Sequence, residues 1–294
     1  MILRAALAAV AAAMLQQPGV FRAETWLVVL HATVKNDRGE LVTGLPASAF
    51  TVLENGKRQT IALFRRDDIP VSIGLLIDNS GSMRAKRARV EAAALDFARA
   101  SNHNDEMFVL NFADKSRIDV RFTSDINVLE AGIARVDSIG GTALRDAVAA
   151  GEDYLTRNAT RDRRVLLVVT DGYDNASVSG LDAIRTVALQ QNVAVYAIGL
   201  IADQDSHAGR ARHELETLTE ATGGIAYFPT SLEQIDEVAV DLARQIRTQY
   251  TIGYSPANQA RDGSLRSIHV VARGAGHLTV RTRTHYRADA SLTP

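Results

Sequence analysis

The stretch that decides the fold runs from Val71 to Ser82 and reads Val-Ser-Ile-Gly-Leu-Leu-Ile-Asp-Asn-Ser-Gly-Ser. The part before Asp78 is a continuous apolar run, which is typical of a strand buried on both faces of a parallel sheet. A second run of this kind covers residues 164–169 and is followed by Thr170 and Asp171. We therefore expect Asp78 and Asp171 to lie at the carboxyl ends of two central strands.

Strands and helices alternate from residue 69 to residue 249. Residue patterns predict further strands over 106–112, 117–122, 193–198 and 225–228. They predict helices over 85–100, 126–136, 144–155 and 211–221, with two more beginning at Ser179 and Ser231. This order predicts an α/β fold with a doubly wound, mostly parallel sheet. Charged residues alternate along 117–122, which suits one antiparallel edge strand.

Both flanks of this region read as β-structure. Strands are predicted over 26–34, 50–54 and 57–64, and again over 249–254, 267–272 and 278–284. Asn55-Gly56 favours a type I′ hairpin, because that turn needs positive φ at both central residues. Neither flank has enough strands to bury a face alone. We expect residues 24–68 and 250–290 to form one small β-sandwich-like domain, with the α/β domain of residues 69–249 inserted between them.

Composition excludes several classes of function. The chain has 294 residues, a formal net charge of −1 and no cysteine. The absence of cysteine excludes disulfides, thiolate zinc sites and thiol catalysis. The near-neutral charge argues against a nucleic-acid binder, which usually has a concentrated basic face.

The first residues have the pattern of a secretory signal. Residues 1–15 read MILRAALAAVAAAML, a short basic start followed by an apolar run. We expect residues 1–23 to be a signal peptide, with an uncertain cleavage site, and the protein to be exported to a periplasmic, extracellular or cell-surface location. The alternatives are an uncleaved anchor and a start site that lies too far upstream. No later segment is apolar enough to predict a transmembrane helix.

Three short segments carry oxygen-bearing side chains to one edge of the predicted sheet. Asp78, Ser80 and Ser82 follow the first buried strand, Asp171 follows the second, and Thr142 lies in a loop before a helix. Ligands of open α/β sheets bind beyond the carboxyl ends of the strands. Two carboxylates and three hydroxyls suit a hard cation, which predicts Mg²⁺, with Mn²⁺ or Ca²⁺ as alternatives.

The three segments resemble the metal-ion-dependent adhesion site of von Willebrand factor A domains. All five positions match, and the likeness extends over the α/β region. The resemblance implies that the serines and the threonine hold the ion closely and that the aspartates act mainly through water. The flanks, with Glu54-Asn55-Gly56-Lys57 and Tyr250-Thr-Ile-Gly-Tyr254, are similar to strand segments of exported bacterial proteins that carry this domain.

Neighbouring charged residues have simpler interpretations. Arg84, Lys86, Arg87 and Arg89 are typical of a solvated face, with steering of an acidic partner as the alternative. Asp174 and Asn175 suit a turn or a helix cap. Asp146 suits a charge at the start of a helix.

We expect a binding protein and not an enzyme. No Gly-x-Ser-x-Gly elbow, Walker loop or dinucleotide fingerprint is present, and no general base stands beside the site in the sequence. The neutral hydroxyls leave the charge of the ion in place, so a Glu or Asp carboxylate of a protein partner would be a suitable ligand. The alternatives are a metal-assisted hydrolase at the same site and a scaffold for assembly of a cell-envelope complex.

Overall fold

The computed structural model describes residues 26–134, 139–202 and 204–288. The predicted signal segment, residues 1–23, lies outside them. The described strands are β1 (Val28–Asn36), β2 (Phe50–Glu54), β3 (Lys57–Gln59), β4 (Ile61–Arg65), β5 (Val71–Asp78), β6 (Glu106–Phe112), β7 (Ser116–Thr123), β8 (Arg163–Thr170), β9 (Val193–Gly199), β10 (Ala226–Tyr227), β11 (Tyr250–Tyr254), β12 (Leu265–Ala272), β13 (Leu278–Arg281) and β14 (His285–Arg287). The described helices are α1 (Arg87–Ala100), α2 (Ile126–Ile133), α3 (Leu144–Asn158), α4 (Leu181–Gln191), α5 (Ala208–Thr222) and α6 (Gln234–Arg247).

The centre of the α/β region is a six-stranded sheet, the core sheet, with strand order β10-β9-β8-β5-β6-β7. Its strands are parallel except for β7, which pairs antiparallel with β6 at the edge. The predicted fold class is therefore confirmed. The chain moves from β5 to β6 and β7 on one side and then crosses to β8 on the other, so the strand order reverses between β5 and β8.

Helices cover both faces of the core sheet, and this explains the unbroken apolar strands. Helices α1, α2 and α6 pack on the face that includes Leu75 of β5. Helices α3, α4 and α5 pack on the opposite face, which includes Leu76. All residues of β5 are buried, so alternation of polar and apolar residues is absent there. Each fully buried Leu or Ile side chain of such a strand stabilises the fold by about 1.5–3 kcal/mol.

The flanking segments form two four-stranded antiparallel sheets, which we call the flanking sheets. Their strand orders are β13-β1-β11-β4 and β14-β12-β2-β3, so each contains strands from both ends of the chain. One apolar cluster contains residues of both sheets, including Leu30 of β1 and Val52 of β2. Asn55 and Gly56, at φ 47° and 77°, form the β2–β3 turn with the predicted positive dihedral angles. The domain boundaries themselves stay a prediction.

Two predicted strands of the flanks differ in the structure. The segment predicted as 57–64 becomes β3, which pairs with β2, and β4, which pairs with β11 in the other sheet. The segment predicted as 278–284 forms only β13, which pairs with β1 and ends at Arg281, and the chain then forms β14 from His285, which pairs with β12 and was not predicted. In both cases the chain passes from one flanking sheet to the other, and β-propensity alone does not reveal such a crossing.

Helix boundaries differ from the predictions by a few residues. The helix predicted from residue 85 begins at Arg87, because residues 81–85 form a separate 3-10 helix. The helix predicted from Ser231 begins at Gln234. The helix predicted over 126–136 ends at Ile133, and Val136 lies outside the described residues. In the described part of the chain, no helix combines the length and apolar character needed to cross a membrane.

Candidate metal centre

The ends of β5 and β8 bring the two predicted carboxylates together. The two strands are adjacent and parallel, with Ile77 opposite Val169. Asp78 is the last residue of β5, and Asp171 directly follows β8. Both are therefore at the carboxyl edge of the core sheet, at the point where the strand order reverses. This is the position at which open α/β sheets bind ligands.

Asp78 is the most deeply buried residue of the predicted site, with no exposed surface. Its carboxylate accepts hydrogen bonds from the backbone N–H of Ser80 at 2.8 Å and from the hydroxyl of Thr170 at 2.6 Å. Burial raises the pKa of Asp78 to about 6, although these hydrogen bonds act in the opposite direction and the nearby charge of Asp171 adds to the rise. Asp78 thus holds the loop after β5 against the end of β8.

The loop after Asp78 places two serine hydroxyls beside Asp171. Ser80 Oγ lies 3.1 Å from Ser82 Oγ, and Ser82 Oγ donates to Asp171 Oδ1 at 2.7 Å. The 3-10 helix of residues 81–85 produces this arrangement, because it turns the chain sharply just after Ser80. Ser80 is buried and Ser82 is exposed, so the row of oxygens runs from the interior to the surface.

Thr142 reaches the same place from the other side. A Cβ atom added at Gly172 would lie 3.2 Å from Thr142 Oγ1, so the threonine hydroxyl sits against the backbone that follows Asp171. The loop is held by Asn175 Oδ1, which accepts from Thr142 N at 2.9 Å, and by Asp114 Oδ1, which accepts from Gly141 N at 2.7 Å. The structure therefore gathers Asp78, Ser80, Ser82 and Asp171 through hydrogen bonds and places Thr142 beside them by packing.

Lys86 forms a direct ion pair with Asp171, a contact that the sequence analysis did not predict. Its Nζ lies 2.6 Å from Asp171 Oδ2 and 3.2 Å from the carbonyl oxygen of Leu200. The basic cluster is thus not simply a solvated face. Arg87 is buried and donates to Asn79 Oδ1 and to the carbonyl of Ile133. In the sequence, only the four-residue spacing between Ser82 and Lys86 could have indicated that Lys86 lies near Asp171. That spacing is informative only once the 3-10 helix of residues 81–85 is known.

Two other acidic residues near the site, Asp174 and Asp146, have structural roles. Asp174 is buried and accepts from the backbone N and the guanidinium of Arg145, at 2.8, 3.1 and 3.2 Å. Hydrogen bonds from Arg145 and Ser177 hold its pKa below the usual value, against the effect of burial. Asp146 accepts from the backbone of Val178 and Ser179. These contacts agree with the predicted turn and helix-start roles.

The chemistry of the donor set fits a hard cation. All the side-chain atoms that could bind a metal here are oxygen atoms, and four of the five residues are buried. Among the described residues there is no group of three or more His, Asp or Glu side chains suited to a metal. A metal ion at the candidate centre would therefore be bound by three hydroxyls in addition to only two carboxylates. Such a set could hold Mg²⁺ with waters completing the shell, since Mg²⁺ usually keeps several waters in proteins.

Comparison with known proteins gives the class of the α/β region. Residues 73–173 match the family model of the von Willebrand factor type A domain. Over these residues the chain is therefore similar to VWA domains, and the core sheet with its helices has the corresponding α/β fold. No curated protein matches the chain.

Two solved structures illustrate the likeness. A von Willebrand factor type A protein from Catenulispora acidiphila is 13% identical, with a TM-score of 0.52 over 90% of this chain and 75% of its own. Proximal thread matrix protein 1 from the mussel byssus is 16% identical, with a TM-score of 0.50 over 64% of this chain. The match covers 49% of the mussel chain. At these identities the likeness concerns the fold alone.

Proposed function

We propose that this protein is an exported binding module that captures a Glu or Asp carboxylate of a protein partner through a divalent cation. Asp78, Ser80, Ser82, Thr142 and Asp171 hold the cation, which is Mg²⁺, with Mn²⁺ or Ca²⁺ as alternatives. The bound ion supplies an electrophilic position for the incoming carboxylate. The chain's own residues hold the ion, orient it towards the surface and leave one side open at Ser82.

One observation carries this proposal: Ser82 Oγ lies 2.7 Å from Asp171 Oδ1 and 3.1 Å from Ser80 Oγ. Oxygen atoms from the ends of two different strands therefore converge on one point. Because Ser82 is exposed, that point is accessible to a partner. Neutral hydroxyls hold a cation without cancelling its charge, which favours binding of an additional carboxylate.

The surroundings of the site support binding over hydrolysis. A hydrolase needs a general base within hydrogen-bond reach of the attacking water. The nearby carboxylates of Asp146 and Asp174 are engaged by backbone N–H groups and by Arg145. Lys86 is paired with Asp171. None of these groups is positioned as an uncommitted base.

Thermal melting in a Mg²⁺ titration tests the metal site. A ligand that binds only the folded protein stabilises it by about 2.7 kcal/mol at one hundred times its Kd, which raises Tm by about 5–10 °C. Asp78→Asn keeps the shape of the side chain and should abolish this rise. Asp182→Asn, at an exposed position on α4, is the matched control and should retain it. An equal rise of Tm with Mg²⁺ in both variants would contradict the assignment of Asp78 as a metal ligand.

Capture of a partner tests the function. The immobilised protein is mixed with a cell-envelope extract in Mg²⁺ and, separately, in chelator. We expect a partner that is retained only in Mg²⁺ and is lost with Asp78→Asn. Metal-dependent turnover of an ester or phosphate substrate that is lost in Ser80→Ala would instead support the hydrolase alternative.

A further inference from the structure

A small cavity lies between the core sheet and the flanking sheets, at the end of β8 opposite to the metal centre. Its volume is about 20 Å³, which is enough for one water-sized particle. The lining includes Arg163 and Arg164 at the start of β8, Tyr196 of β9, His31 of β1, Gln249 before β11, and Arg283 between β13 and β14. None of the lining side chains is a carboxylate.

Positive charge is concentrated around this cavity. Arg163 and Arg283 are 5% and 7% exposed, so both guanidinium groups are removed from water. Burial lowers the pKa of Arg283 to about 10, which leaves the group charged at neutral pH. In the part of the chain that the structure describes, no carboxylate forms an ion pair with Arg163, Arg164 or Arg283.

Several donors that line the cavity have no acceptor. Arg283 Nη2 donates to the carbonyl of Val29 at 2.9 Å, but its Nε and Nη1 are buried without a partner among the described residues. Arg164 Nε is in the same state. Arg163 is better satisfied, because it donates to the carbonyl of Ile246 at 2.5 Å and to Gln249 Oε1. A buried donor without an acceptor costs about 1–3 kcal/mol.

His31 lines the same cavity as the two buried guanidinium groups, Arg163 and Arg283. Its pKa is lowered well below the usual value by burial, and then by the charges of Arg163 and Arg283. The ring is therefore neutral at neutral pH and adds no positive charge. Two carboxylates, those of Asp105 and Asp68, act electrostatically on Arg163. Both are engaged by other groups. Asp105 accepts from backbone N–H groups and Asp68 pairs with Arg247.

We propose that this cavity binds one small inorganic anion of the size of chloride. A water molecule could accept the hydrogen bonds but would leave the buried charges uncompensated, and removing a charge from water without a partner is strongly unfavourable. A monatomic anion provides both an acceptor and a counter-charge within the available volume. A cation is disfavoured by the three guanidinium groups.

The anion links the VWA domain to the flanking sheets. Arg163 and Arg164 belong to the core sheet, whereas His31 and Arg283 belong to the flanking segments. The cavity is at the amino end of β8, and Asp171 is beyond its carboxyl end, so the two sites are separated by about 25 Å at the rise of a strand. Anion binding is therefore independent of the metal proposal.

Melting in two sodium salts of equal ionic strength tests this site. Chloride fits the cavity and gluconate is too large for it. We expect Tm of the wild-type protein in chelator to be higher in chloride than in gluconate by about 3 °C or more. Equal values in the two salts would overturn the proposal. Crystals grown in bromide should show an anomalous peak between Arg163 and Arg283, and an ordinary water at that point would overturn it as well.

Substitutions of the lining arginines test whether the difference in Tm between chloride and gluconate arises at this cavity. Arg283→Met removes a buried charge and should abolish the difference between the salts. Arg164→Met changes a half-buried residue and should reduce the difference, and it keeps the test informative if Arg283→Met fails to fold. Arg185→Met, on the exposed side of α4, is the control and should retain the full chloride effect. Retention of the full effect in both Arg164→Met and Arg283→Met would contradict the assignment.

Discussion

The ammonium nitrogen of Lys86 lies 2.6 Å from Oδ2 of Asp171, whose other oxygen accepts the hydroxyl of Ser82. Asp171 therefore already has a cationic partner on one side. The Lys86 side chain is 27% exposed, while that of Asp171 is 1% exposed. The ion pair forms at the mouth of the candidate metal centre, and a divalent ion held by Asp171 would experience the positive charge of Lys86.

Lys86→Met should strengthen Mg²⁺ binding. Repulsion between the ammonium and the ion amounts to about 1 kcal/mol or more at a few ångströms, even with strong solvent screening. We expect the Kd for Mg²⁺ to fall by about fivefold or more, measured by calorimetric titration. In chelator the variant should melt at a lower temperature, because Asp171 loses its partner. Lys57→Met, in the exposed β2–β3 hairpin, should change neither quantity. Weaker Mg²⁺ binding in Lys86→Met would show that the lysine supports the ion.

Gly141→Ala should disturb the Thr142 loop and leave the fold intact. The added Cβ would lie 2.6 Å from Asn175 Oδ1 and 3.0 Å from Asp114 Oδ1, the two acceptors that hold this loop. We expect the Kd for Mg²⁺ to rise by about tenfold, or about 1.4 kcal/mol. Gly180→Ala is the control, because nothing lies within 4 Å of its added Cβ. Unchanged Mg²⁺ binding in Gly141→Ala would remove Thr142 from the ligand set.

Glu152 should make the protein less stable as the pH rises. Its side chain is fully buried on α3, both carboxylate oxygens lack partners among the described residues, and burial raises its pKa to about 8. The folded state thus holds a proton that the unfolded state loses above pH ~4.3. Stability therefore falls from that pH up to pH ~8, by up to about 4 kcal/mol.

Glu152→Gln should remove most of this pH dependence. Urea unfolding at the two ends of the pH window measures the effect, and the variant should be the more stable protein at the alkaline end. Asp153→Asn, at an exposed neighbouring position, should behave like the wild type. A wild-type protein whose stability is constant over this window would contradict the prediction.

Glu54→Ala should destabilise the flanking sheets. Glu54 Oε2 accepts from the hydroxyls of Tyr254 at 2.9 Å and Tyr286 at 2.7 Å, and Oε1 lies 3.4 Å from Arg266 Nη1. Removal of the carboxylate takes the closer of two carboxylates from the buried Arg266, whose other one is Asp262 at 3.9 Å, and breaking a buried ion pair costs about 3–5 kcal/mol. Chemical denaturation measures this loss. Lys57→Ala, in the same hairpin as Glu54, should cost far less, and a similar loss in both variants would contradict the role of the buried pair.

Patterns along single segments predicted the parts of the molecule that depend on local sequence. The apolar runs before Asp78 and Asp171 identified two central strands, because strands covered on both faces need no polar residues. Parallel strands share one carboxyl edge, and the adjacency of the two aspartates follows from that. The Asn55-Gly56 turn was equally local.

Contacts between segments that are far apart in the sequence could not be predicted from local patterns. The contact of Lys86 with Asp171 depends on the direction of a side chain after a 3-10 helix. The division of residues 57–64 between two sheets depends on where β2 and β11 lie. Glu152 occupies an ordinary helical position, and only the packing of α3 on the core sheet shows that its carboxyl is enclosed. The anion cavity combines residues of β1, β8 and β9 with Gln249 before β11 and Arg283 between β13 and β14.

The strand pairing between β4 and β11 has a consequence for how the chain folds during synthesis. Thr251 is opposite Arg65, so the chain leaves and re-enters the flanking sheets at neighbouring points. The first four strands emerge from the ribosome long before their partners β11 to β14 and have unpaired edges until then. If the α/β region folds in the interval, it brings its two ends together and so lowers the entropy cost of closing so long a loop. We therefore expect that a variant that slows folding of the α/β region leaves β1 to β4 exposed to aggregation.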